Sequence, residues 1–211
     1  MIKDSRDFLE KINGLIHIGA NTGQERELYS QHQLDVVWVE PIDEVFEELK
    51  ENLCNYPNQK GYKALLTDQD DQDYEFYIAN NSGASSSILP LKECYKIWPE
   101  IHYVNKVKIK SCTLPTLLFN EGLNIKDYQA LVMDTQGSEL LILKGAEPIL
   151  SHFEYIKTEV ADFEAYQGCV LIGEMTHFLE KQGFCKMEEN MFAADQEGLC
   201  HYYDVIYRRN K

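Results

Sequence analysis

No stretch of eighteen consecutive apolar residues occurs in the chain, so no segment reads as a membrane-spanning helix. The opening residues, MIKDSRDFLEKING, hold neither an apolar h-region nor a small-residue cleavage site, and a cytoplasmic location is the default expectation. Cations are scarce: 20 Lys and Arg stand against 35 Asp and Glu, for a net charge of −15. The basic residues make no stripe that could track a phosphate backbone, which argues against a nucleic-acid partner and against anionic membrane surfaces. The acidity reads as a solvated surface. Six cysteines, Cys54, Cys94, Cys112, Cys169, Cys185 and Cys200, lack any CxxC pair or metal-ligand cadence, so reduced, mostly buried thiols are expected, with neither a disulfide scaffold nor a metal site.

What is present is an ordinary balance for a folded protein: 211 residues, 44% hydrophobic and 26% charged. That length suits one sizeable core, so residues 1–211 are expected to form a single α/β domain. The most informative stretch is Leu15 to Gly23, LIHIGANTG, an apolar run that stops at a small-residue turn before the helix-like QERELYSQH. Val36 to Pro41, VVWVEP, is a second buried-type strand ending in a carboxylate, which suits the hydroxyls of a ribose.

Around these two stretches, strand and helix alternate. Ser5 to Ile12 reads as a short amphipathic helix ended by Asn13-Gly14, Gln24 to His32 as a helix, and Ile42 to Cys54 as a helix with Val45, Phe46, Leu49 and Leu53 on one face. Tyr62 to Leu66 is an apolar strand ending at Thr67-Asp68, and YEFYIAN, Tyr74 to Asn80, suits an added strand. Residues 80–105, with NNSGASSS and two prolines, read as a loop of the lid or substrate-binding kind. Val107 to Cys112 follows as an exposed strand, and Thr113-Leu-Pro-Thr116 opens a short helix. Ala130 to Gly137 is a buried strand ending in Asp134 and a glycine, Ser138 to Leu150 a helix, Tyr155 to Val160 a core strand and Val170 to Gln182 a helix stopped by Gly183. Phe184 to Met187 and Tyr202 to Arg208 suit a terminal antiparallel hairpin. The fold expected is a Rossmann-like, doubly wound, mainly parallel sheet.

A nicotinamide dehydrogenase would want GxGxxG, whereas this turn is G-A-N-T-G, with Asn21 in place of the glycine that lets a pyrophosphate approach. Its one Tyr-x-x-x-Lys, Tyr56 to Lys60, lies just after the second helix, an unexpected place for hydride transfer. A ribose-bearing cofactor without phosphate fits better.

In sequence order, His17-Ile-Gly-Ala-Asn-Thr-Gly23, Glu40-Pro-Ile-Asp-Glu-Val-Phe-Glu-Glu-Leu-Lys-Glu-Asn52, Ala64-Leu-Leu-Thr-Asp68, Ser82-Gly-Ala-Ser-Ser-Ser87 and Met133-Asp-Thr-Gln-Gly-Ser-Glu-Leu-Leu-Ile-Leu-Lys-Gly-Ala146 resemble the motifs of the FkbM family of S-adenosylmethionine-dependent methyltransferases. Val132 stands where that family usually has a lysine, Gln136 where it has glutamate and Pro115 where it has aspartate. The resemblance implies S-adenosyl-L-methionine as cofactor and an O-methyltransferase acting on a hydroxyl of a saccharide or small molecule. A cofactor-binding regulatory or assembly protein without turnover is the alternative of a different class, and an NAD-dependent dehydrogenase is third. Gly19, Asn21 and Gly23 would hold the methionine portion and ribose edge by backbone contact, Glu40 the ribose hydroxyls and Asp68 the adenine amine. Asp134 would face the crevice near the sulfonium or the acceptor. Asp134, Glu159 and Glu139 are the candidate bases for an alcohol acceptor, Ser85, Ser86 and Ser87 the candidate acceptor-lining residues. Glu139 reads equally as a first-turn helix acid, His17 as a core histidine and His102 as a weaker base. The oligomeric state stays open.

Overall fold

The computed structural model describes residues 8–210. Of the expected first helix, Ser5 to Asp7 lie outside the described residues, and Leu9–Lys11 form a single 3-10 turn. Strands β1 (Gly14–Ile18), β2 (Asp35–Glu40), β3 (Gln59–Lys63), β7 (Ala130–Met133) and β8 (Tyr155–Ala161) run parallel, in the spatial order β3-β2-β1-β7-β8. Strands β10 (His201–Arg209) and β9 (Phe184–Ala194) continue the sheet, each antiparallel to its neighbour. The terminal hairpin is thus present, and longer than its apolar stretches suggest. Much of β9 is exposed and carries little hydrophobic signal.

The apolar runs of the central strands follow from burial on both faces. Successive side chains alternate across a strand. Ile16, Ile18, Val37, Val39, Leu131 and Met133 therefore pack on one face, against α3 (Leu114–Asn120), α4 (Glu139–Gly145) and α5 (Ile172–Lys181). Leu15, Val36, Trp38, Ala130 and Val132 pack on the other, against Tyr29 of α1 (Arg26–Gln31) and Leu49 and Leu53 of α2 (Asp43–Leu53). Thr113 caps α3 by accepting from the Thr116 amide, with Pro115 in the first turn, where its missing N–H costs nothing. No helix among the described residues is long and apolar enough to cross a membrane.

Two boundaries depart from expectation. The Tyr62–Leu66 strand is divided: residues 59–63 pair with β2, and after Ala64 the chain leaves the sheet as β4 (Leu65–Leu66). There it runs parallel to β6 (Tyr103–Cys112), which pairs antiparallel with β5 (Asp73–Ala79) in a second, three-stranded sheet. Both leucines are buried by this turn, Leu65 beside Ile42, Val45 and Phe76 and Leu66 in the central core. Helix α4 stops at Gly145, well short of Leu150. Pro148 cannot continue it, and a Cβ at Gly145 would lie 2.2 Å from the Thr67 carbonyl oxygen, so this close crossing needs glycine.

The strand order reverses between β1 and β7: β2 and β3 lie to one side, β8 and the hairpin to the other. The carboxyl ends of β1, β2, β7 and β8 therefore meet at one edge, where an open α/β sheet offers its crevice.

Candidate active site

At that edge the turn after β1 folds tightly on itself. The Gly19 and Ala20 amides both donate to the Val39 carbonyl oxygen at 3.0 Å, and the Gly23 amide donates to Ala20 at 2.9 Å. The Asn21 amide donates to Glu40 Oε2 at 2.9 Å, and the Thr22 amide to Asn21 Oδ1 at 2.8 Å. Every amide from Gly19 to Gly23 is thus engaged within the protein, and none is left to cradle a pyrophosphate. Gly19 has φ +79°, and a Cβ there would fall 1.8 Å from the Asp134 carbonyl oxygen. Glycine is what lets the β1 and β7 turns touch. Asn21 has φ +44°, a left-handed conformation its short polar side chain tolerates.

A cleft of about 230 Å³ opens beside this turn. Glu40 lines it, nearly buried, with Oε1 accepting from the Ile42 amide at 2.9 Å. Burial pushes the Glu40 carboxyl up to about 7, against the lowering effect of those two amides. Ile42, Leu65, Leu66 and Phe76 form an apolar wall, and Asp134 and Ser86 close the far side. Asp134 also lines a second hollow, of about 380 Å³, together with Glu159, Ser85, Trp98, Phe192 and Tyr202. The cleft and the hollow share Asp134, Gln136 and Ala84.

Asp134 is oriented from behind. Gln136 donates through Nε2 to Asp134 Oδ1, and Gln136 Oε1 accepts from the Tyr166 hydroxyl at 2.6 Å. Burial, then the charge of Glu139, holds the Asp134 carboxyl well above the usual carboxylate range. Burial first and Asp134 second do the same to Glu159. Lys157 opposes both shifts. It lies on β8 in register with Val132, so a cation stands one strand away from the position where the resemblance leads one to look for a lysine.

The cleft thus brings together Gly19, Asn21, Glu40, Asp134 and Ser86, and the hollow brings Glu159 and Ser85 to Asp134. Other expectations are corrected. Gly23 does not line the cleft: its absent side chain makes room for Leu49, 2.8 Å from where a Cβ would sit. Gly19 and Asn21 line it, with their amides bonded within the protein. Asp68 lies outside the cleft, its backbone packed where α4 crosses at Gly145. Glu139 touches neither space. Its Oε1 accepts the Thr135 and Gly137 amides at 2.8 and 3.2 Å and so fixes the Asp134 turn. Ser87 likewise staples the 80–105 segment to that turn, donating to the Gln136 carbonyl oxygen at 2.8 Å. As expected, His17 is a core residue, stacked on Trp38 at 4.8 Å and pushed down to about 4 by burial, with an edge on the cleft. His102 is exposed, its Nδ1 3.0 Å from the Glu100 carbonyl oxygen and lining neither space.

Trp98 comes from the expected 80–105 segment, but sequence reasoning missed Tyr166, Phe192 and Tyr202, which come from distant elements, and Lys157, which acts on the site by charge. Gln136 did carry a signal, as the amide standing where an acid is usual.

Comparison with known proteins accords with this geometry. A family model described as the methyltransferase FkbM domain matches residues 17–185. No curated protein sequence matches the chain. Among solved structures, the magnesium protoporphyrin IX methyltransferase of Synechocystis PCC 6803 with bound SAM is similar at a TM-score of 0.52 and 9% identity, over 93% of this chain and 69% of that one. The 1,6-didemethyltoxoflavin-N1-methyltransferase of Burkholderia thailandensis, with bound 1,6-didemethyltoxoflavin and S-adenosylhomocysteine, gives 0.53 and 8%, over 98% and 75%. The precorrin-6y C5,15-methyltransferase of Geobacter metallireducens GS-15 gives 0.50 and 12%, over 100% and 90%. At these identities the likeness is one of fold.

Proposed function

Because the chain belongs to the FkbM methyltransferase family, we propose that it is an S-adenosylmethionine-dependent O-methyltransferase acting on a hydroxyl of a small molecule or saccharide. The observation that carries this reading is the position of Asp134, a half-buried carboxylate shared by the cleft and a separate hollow.

The residues of the cleft fit the cofactor. Glu40 is the acceptor for the ribose hydroxyls, and the wall of Ile42, Leu65, Leu66 and Phe76 suits the faces of a purine. The fully bonded Gly19–Gly23 turn suits a ligand without phosphate. When bound, the cofactor supplies an activated methyl group and a good leaving group. The protein then has to align the acceptor, exclude water and take one proton. The proton of an acceptor hydroxyl held at the border of cleft and hollow would pass to the Asp134–Glu159 pair. Two adjacent buried carboxyls do not both ionise readily, so one holds a proton while the other accepts. Residues 80–105 act as the substrate segment of a single domain, since they give Ser86 to the cleft and Ser85 and Trp98 to the hollow.

Titration calorimetry with S-adenosylhomocysteine tests the reading. Micromolar binding at one site is expected, and no detectable heat at millimolar ligand would overturn it.

A further inference from the structure

The second hollow has a character of its own. One wall is aromatic: the Trp98 and Phe192 rings lie 5.1 and 5.9 Å from the Tyr202 ring, and Phe192 stays 48% exposed at the lip. The opposite wall is acidic, formed by Asp134 and Glu159, with Glu100 also lining the space. No Lys or Arg lines it.

The polar amides that line the hollow are already engaged. Asn80 donates to the Glu100 carbonyl oxygen at 3.0 Å and accepts from the His102 amide at 3.1 Å. Asn81 donates to Ser85 Oγ at 3.0 Å and accepts from the Ser85 amide at 3.1 Å. Gln136 is held at both ends by Asp134 and Tyr166. A polyhydroxylated ring placed here would find acceptors in Asp134, Glu159 and Glu100 but would set its remaining hydroxyls against the Trp98, Phe192 and Tyr202 rings, at a desolvation cost. An anionic group would meet only carboxylates. A flat apolar ring with a single reacting hydroxyl pays neither penalty and stacks on the aromatic wall.

We infer that the hollow is the acceptor site and that it takes an uncharged aromatic ring bearing a hydroxyl, a phenol, in preference to a polyol or an anion. This rests on the methyltransferase reading and narrows it. The ring packs against the tilted Trp98, Tyr202 and Phe192 side chains and turns its hydroxyl to Asp134, at the border with the cleft. The proton chemistry agrees: a carboxylate made more basic by burial is better matched to a phenolic proton, of ordinary pKa about 10, than to an aliphatic alcohol.

The experiment uses the full chain saturated with S-adenosylhomocysteine, whose own binding separately tests the underlying reading. Phenol, catechol and 2-naphthol, methyl glucoside as the polyol and 4-hydroxybenzoate as the anion are titrated by competition-free calorimetry and by tryptophan fluorescence. Trp98→Phe and Trp98→Ala separate the Trp98 response from that of the buried Trp38. At least one uncharged phenol is expected to bind ten-fold or more tighter than methyl glucoside and 4-hydroxybenzoate, with its fluorescence response lost in both variants. Trp98→Ala should weaken that phenol at least ten-fold and Trp98→Phe much less, with S-adenosylhomocysteine affinity unchanged in both. Label from methyl-labelled cofactor should go to the same phenol. Binding of S-adenosylhomocysteine with no phenol bound, with methyl glucoside or the anion preferred, or with phenol binding insensitive to Trp98→Ala, would overturn the inference and leave the methyltransferase reading standing.

Discussion

The cleft beside Gly19 and the hollow beside Glu159 meet at Asp134, yet they are built in opposite ways. The cleft comes from strand ends and the turns that follow them, with backbone amides of Asn21 and Ile42 holding one of its carboxylates, Glu40, in place. The hollow comes from side chains of the 80–105 segment, β8 and the β9–β10 hairpin, among them Ser85, Trp98, Glu159, Phe192 and Tyr202, and burial raises its Asp134 and Glu159 carboxyls. A site made of backbone holds a ligand of fixed shape. A site made of side chains on separate elements can change its ligand one substitution at a time, without disturbing the turn that binds the cofactor.

Substitutions can break that division. The largest effect is expected at Gly19, which packs against Asp134, a residue the two regions share. Gly19→Ala places a methyl group against the Asp134 carbonyl oxygen at a left-handed φ, so chemical denaturation should show a loss of about 4 kcal/mol or failure to fold. Asp134→Asn should separate the two regions. Methyl transfer is expected to fall about 10²–10⁴-fold in a labelled-cofactor assay, while S-adenosylhomocysteine affinity changes by less than about ten-fold. A parallel loss of both would show that the cleft needs this carboxylate as much as the hollow does.

Glu40→Ala should do the reverse, weakening S-adenosylhomocysteine by about ten- to hundred-fold in calorimetry without altering phenol binding. The same residue gives a pH signature. Its carboxyl is pushed up to about 7 in the free fold, so the uncharged form is the one the fold favours. The stability it contributes is fully present below its ordinary carboxylate pKa and is lost as pH rises towards about 7, which denaturation at pH 4.5 to 7.5 would register. Cofactor affinity should move the opposite way, gaining up to about ten-fold per pH unit below 7, because the ionised carboxylate is the better acceptor.

The smallest effect sharpens the comparison on the hollow side. Lys157 lowers the pKa of both Asp134 and Glu159. Lys157→Met should therefore move the acidic limb of the pH–rate profile upward, by about half a unit to one unit, with cofactor affinity unchanged. A profile that stays in place would remove Lys157 from the site's electrostatics.

The helix faces, the buried strands and the terminal hairpin were readable because period and burial are local properties, as in the run of Leu15, Ile16 and Ile18 or the Val45–Leu49–Leu53 face of α2. Where the reading slipped, a tertiary contact overrode the local pattern. The apolar run Tyr62–Leu66 looks like one strand, but Leu65 and Leu66 cross to β6, where both are buried. Glu139 looks like a base at a strand end, yet the left-handed turn at Gln136 and Gly137 aims two amides at it. Asp68 follows an apolar run just as Glu40 does, but its backbone packs against the crossing at Gly145 and it does not line the cleft.

By itself the sequence determined the α/β alternation, the tight turn that only Gly19 and Asn21 could enter, and the acid at the end of β2. These depend on backbone conformation and on residues a few positions apart. Only the tertiary structure decided that the turn's amides are all bonded within the protein, that Lys157 stands in register with Val132, and that Trp98, Phe192 and Tyr202 converge on Asp134. Those contacts join elements far apart in the chain, and no local pattern encodes which of them will meet.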